Sequence, residues 1–246
     1  MARNFKPVHA NSRGYTLLEL LISLVILLTV TGALFEQINQ MQKKSSSEAM
    51  KLDMNGAARD FLDQTVRDLH MSGYPGASMY SNPQDLSRVA VGLVSISPTQ
   101  IVFEGDVNND GTVYSVNIQY LASDPNNPGN PNCPCIRRIA GQKQSGFDSL
   151  HQPAGGTFTE TPHVFPPGTG SGQSGEDLFT YFDQNGNPID ASAGIDLTTL
   201  DPITQLPELL EVKTIKINLS LLTPMRDLGP DSYARTSMSA TARLNQ

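Results

Sequence analysis

Residues 15–35 form an apolar run of 21 residues broken by a single charge, Glu19. At 1.5 Å per helical residue the run would be about 31 Å long, enough to cross a hydrocarbon layer about 30 Å thick. A carboxylate inside such a layer costs about 2.5–3.5 kcal/mol on insertion scales, so Glu19 needs a partner or a purpose. The fourteen residues before the run carry Arg3, Lys6 and Arg13 and no acid. A short basic segment in that place reads as a leader kept on the cytoplasmic side of a membrane.

Past Phe35 the apolar positions thin into a stripe. Ile38, Met41, Met54, Ala58, Phe61, Leu62, Thr65, Val66 and Leu69 recur at three and four, the spacing of one buried helical face. The pattern predicts one helix from Tyr15 to Ser72, 58 residues and about 87 Å long. Gly73 and Pro75 end it, while Ser45, Ser46, Ser47 and Gly56 are weak helix formers where a kink would fit. The chain then divides into a leader (1–14), a membrane-spanning segment (15–35), an amphipathic continuation (36–74) and a globular β-rich domain (75–246).

Within that domain, residues 89–96, 100–104, 112–121, 178–182, 211–222 and 235–244 are rich in β-branched and aromatic side chains or alternate in polarity, and are read as strands. In the clearest, Ile215, Ile217, Leu219 and Leu221 face one way against Lys216, Asn218 and Ser220. Its dry face needs a cover, and the amphipathic half of the helix supplies one. The expected class is α+β, a long helix packed on an antiparallel sheet. Residues 123–175 are dense in Pro, Gly, Asn and Ser and are read as long surface loops around short strands.

The net charge is −7, and loss of the leader with its three bases would leave −10, which argues against nucleic acid as a partner. The only cysteines, Cys133 and Cys135, leave three readings open: a local disulfide, a disulfide to another chain, or free thiols. They are too few for a tetrahedral metal site. Asp106, Asn108 and Asp110, with Gly111 and Val113, match the first half of a calcium loop, but the twelfth position holds Asn117 and not an acid. Strand-like runs flank these residues, so a hairpin turn accounts for the same letters and is preferred to Ca²⁺; no cofactor is expected.

Other motifs fail on context. Gly170, Gly172 and Gly175 fit G-x-G-x-x-G but lie in a loop-like stretch with no strand before them. His9, His70, His151 and His163 show no metal-ligand spacing, and neither a G-x-S-x-G elbow nor a His-Glu-x-x-His motif occurs, so the chain is not read as an enzyme.

Residues 13–24, Arg-Gly-Tyr-Thr-Leu-Leu-Glu-Leu-Leu-Ile-Ser-Leu, resemble the class III signal of type IV prepilins and pseudopilins: Gly14 before the cut, an aromatic after it, and Glu19 at the fifth position beyond. Tyr15 stands where phenylalanine is commoner in that family. The blocks at 57–74, 101–111 and 178–186 are similar to the PilW type of minor pilin and are shared loosely with the J-type pseudopilin of type II secretion. The resemblance implies a pilin-like fold, cleavage between Gly14 and Tyr15 by a prepilin peptidase, and N-methylation of Tyr15. It also implies that Glu19 pairs with the new amine of a neighbouring subunit during pilus assembly. The partners implied are the peptidase, other major and minor pilins and the inner membrane. The chain would cross that membrane once, its domain periplasmic, before entering a pilus or pseudopilus.

The type II secretion pseudopilin is the alternative within this class. Outside it stands a Sec-secreted binding or enzymatic domain cut after Ala33, against which Glu19 and the helical continuation both argue. A tip adhesin using the loops at 123–175 is compatible with the pilin reading.

Overall fold

Leucine, isoleucine and valine in close succession after Thr16 wind into α1, Leu17–His70, unbroken through the three serines and Gly56. The computed structural model describes residues 16–79, 88–143, 157–168, 176–197, 208–223 and 235–244. The chain forms two units, Met1–Glu48 and Ala49–Gln246. In the first, every described residue from Leu17 to Ser46 is exposed. In the second, α1 buries Met54, Ala58, Phe61, Leu62, Thr65, Asp68 and Leu69 along one face. The stripe therefore begins at Met54; Ile38 and Met41, expected on it, are 47% and 71% exposed.

The helix ends where the backbone turns left-handed at Gly73, with φ of 80°. The following chain is clasped to a strand: the Gly73 N–H donates to Glu104 O at 2.9 Å and the Asp106 N–H to Tyr74 O at 2.9 Å. Among the described residues ten strands follow: β1 (Leu93–Ile96), β2 (Gln100–Gly105), β3 (Tyr114–Leu121), β4 (Cys135–Gln142), β5 (Thr157–Thr161), β6 (Phe179–Phe182), β7 (Pro188–Ile189), β8 (Ile195–Asp196), β9 (Thr214–Leu222) and β10 (Arg235–Arg243). All pair antiparallel.

They form two sheets where a single one was expected, one ordered β5-β4-β3-β2-β1-β8 and the other β10-β9-β6-β7. The α+β class holds. The sheets and the helical face from Met54 to Leu69 share one core. On β9, Ile215, Ile217, Leu219 and Leu221 are at most 1% exposed. Burying such side chains contributes about 1.5–3 kcal/mol each. Tyr181 of β6 ties the sheets together, its buried hydroxyl donating to Ser97 O at 2.8 Å in the β1–β2 turn. Burial pushes that phenol well above its ordinary range.

The stretch at 123–175 departs most from expectation. It contains β4, eight residues long and interior to its sheet, as well as β5.

Candidate functional site

The exposed apolar helix is the first candidate site. Thr16 precedes its first turn and Glu19 lies in that turn, an arrangement of the T-x-x-E capping type. The Glu19 N–H donates to Thr16 O at 3.0 Å and to Thr16 Oγ1 at 3.3 Å, and the acid complements the positive helix N-terminus. Thr16, three residues before Glu19 and at the start of the apolar run, carries the sequence signature of that cap. Ser23 and Thr31 return their hydroxyl protons to Glu19 O and Leu27 O, at 2.8 and 2.6 Å, so these polar groups are satisfied within the helix. Leu17, Leu20, Leu27 and Phe35 are 63–79% exposed. An apolar surface on all sides of a helix is suited to lipid or to other helices, not to water. The apolar window has a mean hydropathy of 2.4 and none of it is buried within the chain. Gly14 and Tyr15 lie outside the described residues.

The segment considered for calcium, 106–113, joins β2 to β3, with Gly105 opposite Tyr114. Asp106 turns both carboxylate oxygens inward, accepting the Asp110 N–H at 3.0 Å and the Gly111 N–H at 2.9 Å. Asp110 accepts the Thr112 N–H at 2.8 Å and the Tyr114 hydroxyl at 2.9 Å. Asn109 and Gly111 take the left-handed φ values, 55° and 79°, that Asn and Gly tolerate best. These carboxylates organise a turn, and Asn108 is exposed.

Cys133 and Cys135 are bonded to each other. Among the described residues, the group with ligand atoms close enough for a metal is these two cysteines with Glu160, and the disulfide occupies both sulfurs. The glycine motif at 170–175, His9 and His151 lie outside the described residues. His70 is exposed at the end of α1, and His163 serves through its backbone, N–H to Asn132 O at 3.0 Å.

Three clusters of charge were not foreseen. Arg138 Nε on β4 meets Asp68 Oδ2 on α1 at 2.6 Å, and burial raises the Asp68 carboxyl while Arg138 opposes the rise. Lys143 Nζ, just past β4, meets Glu104 Oε2 on β2 at 2.7 Å with both side chains at most 1% exposed. Arg137 joins Asp124 and Glu160, its Nε lying 2.9 Å from Glu160 Oε1, and its guanidinium sits 5.0 Å from the Phe158 ring centroid.

This last cluster makes the fold acid-sensitive. The Arg137 hydrogen bond, then the Asn126 N–H, lower Asp124 from 3.8 to about 2, and Arg137 lowers Glu160. Carboxyls whose folded values are depressed contribute stability above their unfolded values and lose it as pH falls through the folded ones. For Asp124 that window runs from about pH 4 to about pH 2. Asp68, being raised, has the opposite sign and gives stability back on acidification. Thermal melts of the chain and of Arg137→Met between pH 6 and pH 2.5 should show the smaller acid-induced drop in the variant, because its carboxyls no longer prefer the ionised form.

Residues 9–35 match the family model described as the prokaryotic N-terminal methylation motif. Among solved structures, the chain aligns with a type IV-like pilin from Thermus thermophilus at 10% identity and a TM-score of 0.38, over 78% of this chain and 96% of that one. No curated protein sequence matches significantly. The motif falls on the end of the leader, on Glu19 and on the exposed apolar helix already described, and at this N-terminus the chain is similar to proteins that carry the prokaryotic N-terminal methylation motif.

Proposed function

We propose that the chain is a minor pilin of the PilW type, a structural subunit taking part in the assembly or initiation of a type IV pilus. The observation that carries this reading is the helix from Leu17 to Phe35, exposed on every side, with one acid in its first turn and a methylation motif across it. The apolar run anchors the chain in the inner membrane until assembly. A prepilin peptidase cuts between Gly14 and Tyr15 and methylates the new amine. That amine lies four residues before Glu19, about 6 Å along the helix axis. In the low dielectric of a packed bundle a lone carboxylate is costly and a paired one much less so, so Glu19 docks against the Tyr15 amine of a neighbouring subunit. The domain projects into the periplasm and no catalysis is assigned to it.

The test is mass spectrometry of the chain in membranes and in sheared filaments. The mature N-terminus should be N-methyl-Tyr15 in both fractions. Glu19→Ala should still enter the membrane but fall at least about tenfold in the filament fraction, as expected for removing one member of a desolvated charge pair. An intact Met1, a start at Leu34, or normal incorporation of Glu19→Ala would contradict this reading.

A further inference from the structure

Cys133 and Cys135 close a ring across Pro134 alone. A disulfide constrains the unfolded chain less the shorter the loop it closes, so this bond adds little to global stability. Its place in the fold gives it a local task instead. Cys135, the first residue of β4, is 0% exposed and pairs with Leu121, whereas Cys133 precedes the strand and is half-buried. The disulfide thus pins a loop to the end of β4. Two carbonyls of that loop face the segment 163–165: Asn132 O accepts the His163 N–H at 3.0 Å, and Pro134 O accepts the Val164 N–H at 2.8 Å.

On its other side the same segment joins β9. His163 O accepts the Leu222 N–H at 2.8 Å, the Phe165 N–H donates to Ser220 O at 2.8 Å, and Val164 forms a bridge with Leu221. Residues 163–165 therefore form a seam between the loop that enters β4 of one sheet and β9 of the other. His163 is the strained point of this seam. Its φ of 57° is left-handed, a conformation that a residue with a Cβ keeps only where its surroundings hold it. The bonds of His163 to Asn132 and to Leu222, one on each flank, are what hold it. One of the two depends on the loop that the disulfide pins.

We propose that the Cys133–Cys135 disulfide is a thiol–disulfide exchange site for a dithiol, and that opening it releases the seam at 163–165 while both sheets stay folded. A thiolate of the dithiol attacks Cys133 Sγ, which belongs to the more exposed residue of the pair. The S–S bond breaks and its electron pair passes to Cys135 Sγ, which takes a proton from water. The second thiolate of the dithiol then attacks the dithiol sulfur of the mixed disulfide and expels Cys133 Sγ, which is protonated in turn. Two electrons have passed to the cysteine pair, and the dithiol has become a disulfide. Cys135 stays in β4, but residues 132–134 regain backbone freedom, so their carbonyls no longer stand fixed before His163 and Val164. The assignment stands independently of the role given to the N-terminal helix.

The full chain in detergent micelles is incubated with and without dithiothreitol, and its amide hydrogen exchange is followed by mass spectrometry. Reduction should speed exchange at 163–165 and at Leu222 about tenfold, the effect of weakening one hydrogen bond, and leave β2 and β3 unchanged. Re-oxidation should restore the slow exchange. The double variant Cys133→Ser with Cys135→Ser should exchange as the reduced chain does, with or without dithiothreitol. In the single variants, the thiol that Cys135→Ser leaves at Cys133 should react with iodoacetamide about tenfold faster than the one that Cys133→Ser leaves at Cys135. A disulfide that resists dithiothreitol in the folded chain, unchanged exchange at 163–165, exchange that rises equally in β2 and β3, or equal alkylation of the two thiols each overturns the proposal.

Discussion

Lys143→Met is expected to cost about 3–5 kcal/mol of folding stability, the usual price of removing one member of a buried ion pair. The ammonium lies 2.7 Å from Glu104 Oε2 and donates to Val89 O at 3.0 Å, and the side chains are 1% and 0% exposed. Methionine fills similar space but leaves the Glu104 carboxylate buried without that cation. The same carboxylate also accepts the Val91 N–H at 3.0 Å, so it cannot turn away without orphaning a backbone donor. This suggests the compensating change. Lys143→Met with Glu104→Gln removes both charges and keeps a side-chain carbonyl for the Val91 N–H. Urea unfolding should place the double variant well above the single one, recovering most of the loss, because replacing a whole buried pair is often close to neutral. Equal instability of both would mean that the loss comes from packing around Lys143 and not from charge.

The same pair shows why part of the fold was hidden from the sequence. α1 was legible because its apolar run and the stripe from Met54 to Leu69 are local patterns, and β9 because Ile215, Ile217, Leu219 and Leu221 alternate without interruption. β4 alternates poorly. Arg137 and Arg138 stand together between Ile136 and Ile139, and two bases in a Pro- and Gly-rich region read as surface. Both are buried, because Asp124, Glu160 and Asp68 neutralise them from 13, 23 and 70 residues away. No local window contains those acids. The division into two sheets is hidden for the same reason, since β1 pairs with β8 and β6 with β9 across long stretches of chain. At the candidate site the balance is reversed. Glu19 stands out in the sequence because a membrane-length apolar run excludes charges so strongly, whereas Gly14 and Tyr15 rest on the resemblance to the prepilin signal and lie outside the described residues. The disulfide, left open by the sequence, depended on where β4 begins, since Cys135 is its first residue.

Gly105→Ala should destabilise the domain by about 3 kcal/mol or more, at the upper end of overpacking costs, although the change adds one methyl group. A Cβ at this position would lie 2.3 Å from Met71 O and 2.8 Å from Met71 C. Those are backbone atoms, so no rotamer change can make room. Gly105 forms a bridge with Ser72, and the bonds of Gly73 to Glu104 and of Asp106 to Tyr74 flank it on either side. Moving the 71–74 segment away breaks this clasp at the point where α1 leaves the core and the first sheet begins. Glu104, which holds Lys143, is the adjacent residue, so displacement of β2 also loosens that buried pair. Gly56→Ala is the control. It lies inside α1 with nothing within 4 Å of the added Cβ, and it should stabilise the helix by about 0.5–1 kcal/mol. Opposite shifts of the urea midpoint for two Gly→Ala changes in one chain would show that close backbone approach, and not glycine's flexibility, fixes residue 105. A Gly105→Ala midpoint equal to that of the parent would show instead that the 71–74 segment can retreat from β2 without loss.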